Sequence, residues 1–215
     1  MIKNEISVFL NNKSETMLDN NVDQTLLISY KEILKDDQYF DFIKSIGNGG
    51  FFFNQSLHIY SFISTSDFSN IQLVNDVLSK EFGYLFEGLF SFGQEVFGNQ
   101  FAFDKSDGSI VLFNVETGDR ERLSDDFEGW LKYLIENLDY LTGNGFVKSW
   151  CEVNSFHYNQ RLVPKVPFVI GGEYEMKNFY ASAFPKFLLY YADLAKQIHN
   201  LKDGEKVRLR IENYE

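Results

Sequence analysis

The sequence holds a single cysteine, Cys151, which excludes an internal disulfide framework and any CxxC metal site. That usage fits a reducing compartment. No stretch approaches the roughly 20 consecutive apolar residues that a bilayer span requires. Met1 to Leu10 has charges within it and lacks the apolar core of a secretory signal, so a cytosolic protein with no membrane partner is the default expectation. Basic residues are scarce, 20 Lys+Arg against 31 Asp+Glu, giving a formal charge of −11 and a pI near 4.8. Phosphate backbones attract basic surfaces, so direct nucleic-acid binding is disfavoured. Catalytic signatures are missing as well. His58, His157 and His199 are scattered, with no HExxH and no GxSxG, and Cys151 has no signature of a nucleophile. Asp125-Asp126 stands where carboxylates cap a helix, and Glu173 with Glu175 reads as a surface pair. We therefore expect no catalytic residue, no metal ligand and no cofactor.

Aromatic residues are plentiful. The 23 Phe and 12 Tyr call for an aromatic-rich core, and 215 residues are enough to bury one. The organising stretch is Gln94 to Leu134. Gln100–Phe103, Ser109–Val115 and Arg120–Leu123 read as three strands joined by turns at Gly108 and Gly118, where a hairpin needs positive φ. Ser124 or Asp125 is placed to cap a helix with Phe127, Trp130, Leu131, Leu134 and Leu138 on one face.

Upstream, Ile6, Val8 and Phe9 suit a short strand or docking segment, broken by residues 11–14. Asp23 is a plausible cap for a helix with Leu26, Leu27, Tyr30, Ile33 and Leu34 on one face. A second helix spans Gln38 to Ile46 and stops at Gly47-Asn48-Gly49-Gly50. That loop lacks the lysine and the preceding strand of a phosphate-cradling loop. Phe51–Phe53 and Leu57–Phe62 read as strands, and the alternation of His58 and Tyr60 with apolar neighbours suggests one exposed face. Asp67 or Ser69 is placed to cap a helix through Phe82, Gly83 stops it, and Leu85–Phe92 reads as a strand.

Downstream, residues 146–151 suit a short helix and residues 154–163 look irregular. Pro164 and Pro167 lead into an edge strand at Phe168–Ile170. Phe187–Leu201 reads as a helix and Lys206–Glu212 as a closing strand.

The order of these pieces, a helix ending in Asn48-Gly49-Gly50, a strand, then Phe97-Gly98 through Phe103-Asp104, a turn at Gly118 and a helix opening on Phe127, resembles the SUKH superfamily. That superfamily unites yeast cell-wall-synthesis regulators of the Smi/Knr type, the bacterial Syd protein and many bacterial immunity proteins. The resemblance covers roughly Asp23 to Leu141. It implies an α+β fold with a curved, mostly antiparallel sheet packed on helices. Residues 1–145 are expected to form this domain, and residues 146–215 a C-terminal extension packed on it, similar to one carried by some bacterial immunity proteins of this type.

The resemblance further implies a cytoplasmic immunity protein that binds and neutralises a cognate toxin domain, often a nuclease. Between Asp104 and Glu128 eight acids face Lys105, Arg120 and Arg122. Acidic turns are ordinarily solvated loops; the same charges make an electronegative face that steers a basic partner. The contact surface expected on this reading is Tyr60, Glu87, Asp104, Asp107, Glu116 and Asp119. Two alternatives are a regulatory scaffold of the Smi/Knr type and a small-ligand module with an aromatic pocket under Gly49-Gly50.

Overall fold

The computed structural model describes residues 2–14, 21–202, 204–205 and 208–210. The chain opens with helix α1 (Lys3–Asn11), where the sequence suggested a short strand or a docking segment. The reason is Phe9, whose ring lies 4.9–5.2 Å from those of Phe42, Phe52 and Phe53 and is wholly buried. Helix α2 (Gln24–Leu34) starts at Asp23, which accepts from Leu26 N, and α3 (Asp37–Ser45) starts at Asp36, which accepts from Tyr39 N.

Six strands follow, all paired antiparallel in chain order: β1 (Gly50–Phe52), β2 (Leu57–Ile59), β3 (Leu89–Glu95), β4 (Gln100–Asp104), β5 (Ile110–Phe113) and β6 (Arg120–Ser124). Gly108 and Gly118 adopt φ of 79° and 76° in the two hairpin turns of the meander, as their positions required. Helix α4 (Ile71–Phe82) connects β2 to β3. Its cap is Asn70, rather than Asp67 or Ser69, and Gly83 ends it. Residues 83–85 make a 3-10 turn, so β3 begins at Leu89, four residues later than its apolar pattern suggested. Helix α5 (Phe127–Glu136) is capped by Asp126, whose side chain accepts from Gly129 N.

The chain continues through α6 (Leu138–Thr142), α7 (Asn144–Cys151), a hairpin of β7 (Gln160–Pro164) with β8 (Phe179–Ala183), and α8 (Lys186–Ile198). Two expectations are overturned here. Residues 160–163, read as irregular, lie in β7, and Phe168–Ile170, read as a strand, forms a 3-10 turn. Cys151 is exposed at the end of α7. Of the expected closing strand Lys206–Glu212, residues 206, 207, 211 and 212 lie outside the described residues, and residues 208–210 form no strand.

Helices cover both faces of the large sheet. On one face Tyr39, Phe92, Phe101, Phe103, Phe127 and Trp130 stack at centroid distances of 4.8–6.3 Å, bringing α3 and α5 onto the sheet. On the other, Asn75 of α4 exchanges hydrogen bonds of 2.8 Å with the backbone of Ser91, and Phe82 meets Phe113 edge-on at 5.1 Å. Phe187, Leu188, Tyr191, Ala192 and Ala195 of α8 belong to the same buried core. A smaller apolar cluster of Val96, Val147, Trp150, Leu162 and Phe179 lies beside it.

Candidate partner-binding surface

The six residues named from sequence do not form one patch, and the register explains why. Consecutive turns of a meander fall at opposite ends of the sheet. Asp104 and Asp107 occupy the β4–β5 turn, with Glu87 nearby because Lys105 N donates to Gly88 O. Glu116 and Asp119 occupy the β5–β6 turn at the far end.

Two of the six are not on the surface. Tyr60 is fully buried, with its hydroxyl donating to Gln100 Oε1 at 2.7 Å. Glu116 is 6% exposed and accepts from Val169 N at 2.8 Å; its burial raises the carboxyl pKa. The exposed face that His58 and Tyr60 implied is absent because the C-terminal segment covers it. Glu87 and Asp119 are exposed and Asp104 is half-buried. The carboxylates of the turns are held in place. Asp104 Oδ1 accepts from the N–H and hydroxyl of Ser106, and Asp107 accepts from Ser109 N and pairs with Arg122 at 2.7 Å. Those hydrogen bonds from Ser109, with the guanidinium of Arg122, hold Asp107 down to about 2. Asp119 lies 3.7 Å from His199 Nδ1.

The covered face carries an arrangement that the sequence did not disclose. His58 and Tyr60 point from the β2 side, Gln94 and Ser91 from β3, Gln100 from β4, and Arg161 reaches in from β7. All are at most 4% exposed. Gln100 Oε1 accepts from Tyr60 and from Ser91 Oγ at 2.8 Å, while its Nε2 donates to Gly98 O at 2.6 Å. With its amide oxygen turned to the guanidinium, Gln94 accepts from Arg161 Nε at 3.2 Å and Nη2 at 3.0 Å. Arg161 also donates to the carbonyls of Tyr158 and Gln160 and lies over the Phe51 ring, 5.6 Å from its centroid. His58 stacks on Phe51 at 4.0 Å and bonds Ser69 Oγ at 3.1 Å. Desolvation, with the Arg161 charge, holds the imidazole well below its usual pKa. Burial pushes Arg161 down to about 10 and Glu95 up to about 8, the latter against two backbone N–H donors, Phe97 and Asn99, that favour its charged form. These polar groups satisfy one another, which makes the cluster a seal between sheet and C-terminal segment; an open catalytic site would leave some of them facing a cleft. The one signal in the sequence was the run of polar residues alternating with aromatics in β2–β4.

The Asn48-Gly49-Gly50 loop also has a packing role. Asn48 bonds both the N–H and the C=O of Phe62, at 3.0 and 3.1 Å, and a Cβ on Gly49 would stand 2.7 Å from the carbonyls of Ile59 and Tyr60. A groove of about 710 Å³ opens beside it, lined by Leu27, Phe40, Ile43 and Asn48 among others. No described helix is long and apolar enough to cross a membrane.

Comparison with known proteins agrees with this architecture. Residues 29–133 match the SMI1 / KNR4 family (SUKH-1). The chain is also similar to the crystal structure of Atu4351 from Agrobacterium tumefaciens, with a TM-score of 0.58 and 14% identity, over 89% of this chain and 88% of that one, a likeness of fold. No curated protein matches the chain. The meander, the Asn-Gly-Gly loop and the first two turns of α5 fall within the matched segment, so residues 29–133, just under half of the chain, are similar to an SMI1 / KNR4 (SUKH-1) domain.

Proposed function

We propose that this is a non-catalytic, cytoplasmic immunity protein that binds and neutralises a cognate polymorphic toxin domain, favouring one with a basic surface such as a nuclease. It needs no cofactor for that task. The observation that carries the reading is the set of carboxylates Glu87, Asp104, Asp107 and Asp119 held on tight turns of a chain with net charge −11. Such a field raises the encounter rate with a basic partner, and side chains fixed before binding cost little ordering entropy. The match of residues 29–133 to the SMI1 / KNR4 family (SUKH-1), whose superfamily includes immunity proteins and Smi/Knr-type scaffolds, is consistent with it.

The test is stopped-flow association with the toxin domain encoded beside this chain, for the native protein and for a variant carrying Glu87→Gln, Asp104→Asn, Asp107→Asn and Asp119→Asn together. The native rate should fall steeply with salt, and the variant should associate about tenfold more slowly at low salt with a flattened salt dependence. An unchanged rate and salt slope would remove the steering role. Recovery of a reproducible set of housekeeping partners instead of one toxin would favour the scaffold reading.

A further inference from the structure

Every sheet edge carries backbone groups that need partners. In the large sheet the β1 edge is covered by residues 12–14: Ser14 N donates to Phe51 O and Phe53 N to Asn12 O. The β6 edge carries exposed Arg120, Glu121 and Arg122, charges that deter pairing with another strand. Strand β8 has neither protection. Its residues, Phe179-Tyr180-Ala181-Ser182-Ala183, include no charge, and among the described residues it pairs only with β7.

The register fixes which of its groups point outward. Leu162 N donates to Val96 O, away from β8, so the Leu162–Ala181 pair is a non-bonded one. The alternating Arg161–Ser182 and Val163–Tyr180 pairs hold the ladder. Pro164, with no N–H to give, stands opposite Phe179 at another non-bonded position. The N–H and C=O of Ala181 and Ala183 and the C=O of Phe179 thus face away from β7, and none meets a hydrogen-bond partner among the described residues. The Phe179 N–H is already given to Met176 O.

We propose that the β8 edge pairs with the β8 edge of a second copy of this chain, antiparallel about a two-fold axis at Ala181. The unpaired groups are self-complementary about that residue. Ala181 exchanges both bonds with its counterpart, and each Ala183 N–H meets the Phe179 C=O of the other copy. The flanking charges favour the same arrangement. Glu173, Glu175 and Lys177 precede the strand, two acids against one lysine that bridges to both, and Lys186 follows it. An antiparallel two-fold sets the acidic end of one copy beside the Lys186 of the other, twice. Exposed Tyr174, Met176 and Tyr180, at 57%, 37% and 40%, add apolar surface next to the edge. A specific dimer needs this contribution, because interfaces below about 1,200 Å² in total are weak. The toxin-binding proposal is independent of this pairing.

The test is the mass of the full chain by light scattering between about 1 and about 100 µM, a range suited to an association of micromolar strength. The mass should climb from 25.1 kDa toward twice that value. Ala181→Pro removes an outward N–H and should return the protein to monomer at the highest concentration with its far-ultraviolet circular dichroism unchanged. If that variant misfolds, Ala181→Cys in a Cys151→Ser background decides: two cysteines at a hydrogen-bonded antiparallel pair stand about 5.5 Å apart between Cα atoms, within disulfide reach, and should oxidise to a covalent dimer. A monomer at every concentration, or a dimer that tolerates Ala181→Pro and fails to cross-link through residue 181, overturns the proposal.

Discussion

The two faces of the six-stranded sheet are buried equally well by opposite means. One face is a stack of rings in which Trp130, Phe127, Phe92 and Phe103 leave no polar contact to make. The two polar atoms there, Tyr39 Oη and Trp130 Nε1, find no partner among the described residues. The other face carries His58, Tyr60, Gln94, Gln100 and Arg161, and their polar atoms are joined to one another. An apolar layer needs only matching volume, and many ring arrangements provide it. A buried polar layer has to be satisfied group by group, which ties β7 and its arginine to one position over the sheet. The difference teaches that the C-terminal segment acts as a specific lid on the sheet, and that the acidic turns project from a rigid body.

The sharpest way to break the contrast is to remove the arginine. Arg161→Ala strips Gln94 and the Tyr158 carbonyl of their buried partner and should cost about 3–5 kcal/mol of unfolding free energy, measured by urea titration. A change below about 1 kcal/mol, the size of a single ordinary hydrogen bond, would mean that the polar layer is incidental.

Glu95 gives the polar side a pH dependence that the aromatic side lacks. Its carboxyl sits at about 8 in the folded chain against 4.5 for the ordinary group, so the folded state holds the proton more tightly. Its contribution is fully present below about 4.5 and is lost as pH rises toward 8, at no more than about 1.4 kcal/mol per pH unit. Comparing urea midpoints of native protein and Glu95→Gln from pH 5 to pH 9 should show the native value falling relative to the variant up to about 8. Parallel curves would refute the assignment.

The smallest effect comes from one hydroxyl on each face. Tyr60→Phe should cost about 1 kcal/mol, since Gln100 Oε1 is left with only its Ser91 bond, whereas Tyr39→Phe removes a buried hydroxyl that meets no partner among the described residues and should be neutral or slightly stabilising. Equal effects in a thermal melt would erase the distinction between the faces.

The aromatic side was legible in the sequence and the polar side was not, for a physical reason. The period of Phe127, Trp130, Leu131 and Leu134, the glycines of the meander turns and the Asp23 cap are local signals, read within a few residues. Tyr60 and His58 alternate with apolar neighbours whether their face meets water or a later part of the chain; only Arg161, about a hundred residues on, decides which. The same limit explains Glu116, placed on a surface turn by its charge and buried by a contact with Val169. It also explains Phe9, whose apolar run suits strand or helix alike until the ring pocket of Phe42, Phe52 and Phe53 selects the helix.

The most direct test of the lid uses the two tryptophans, Trp130 beneath the ring layer and Trp150 in the small C-terminal cluster. Urea unfolding followed by fluorescence in Trp150→Phe reports on the sheet, and in Trp130→Phe on the C-terminal segment; far-ultraviolet circular dichroism of each variant gives its global transition. If the segment is part of one cooperative body, fluorescence and circular dichroism coincide in both variants. A Trp150 signal lost at lower urea than the circular dichroism of the same variant would show a segment that detaches on its own and contradict the account.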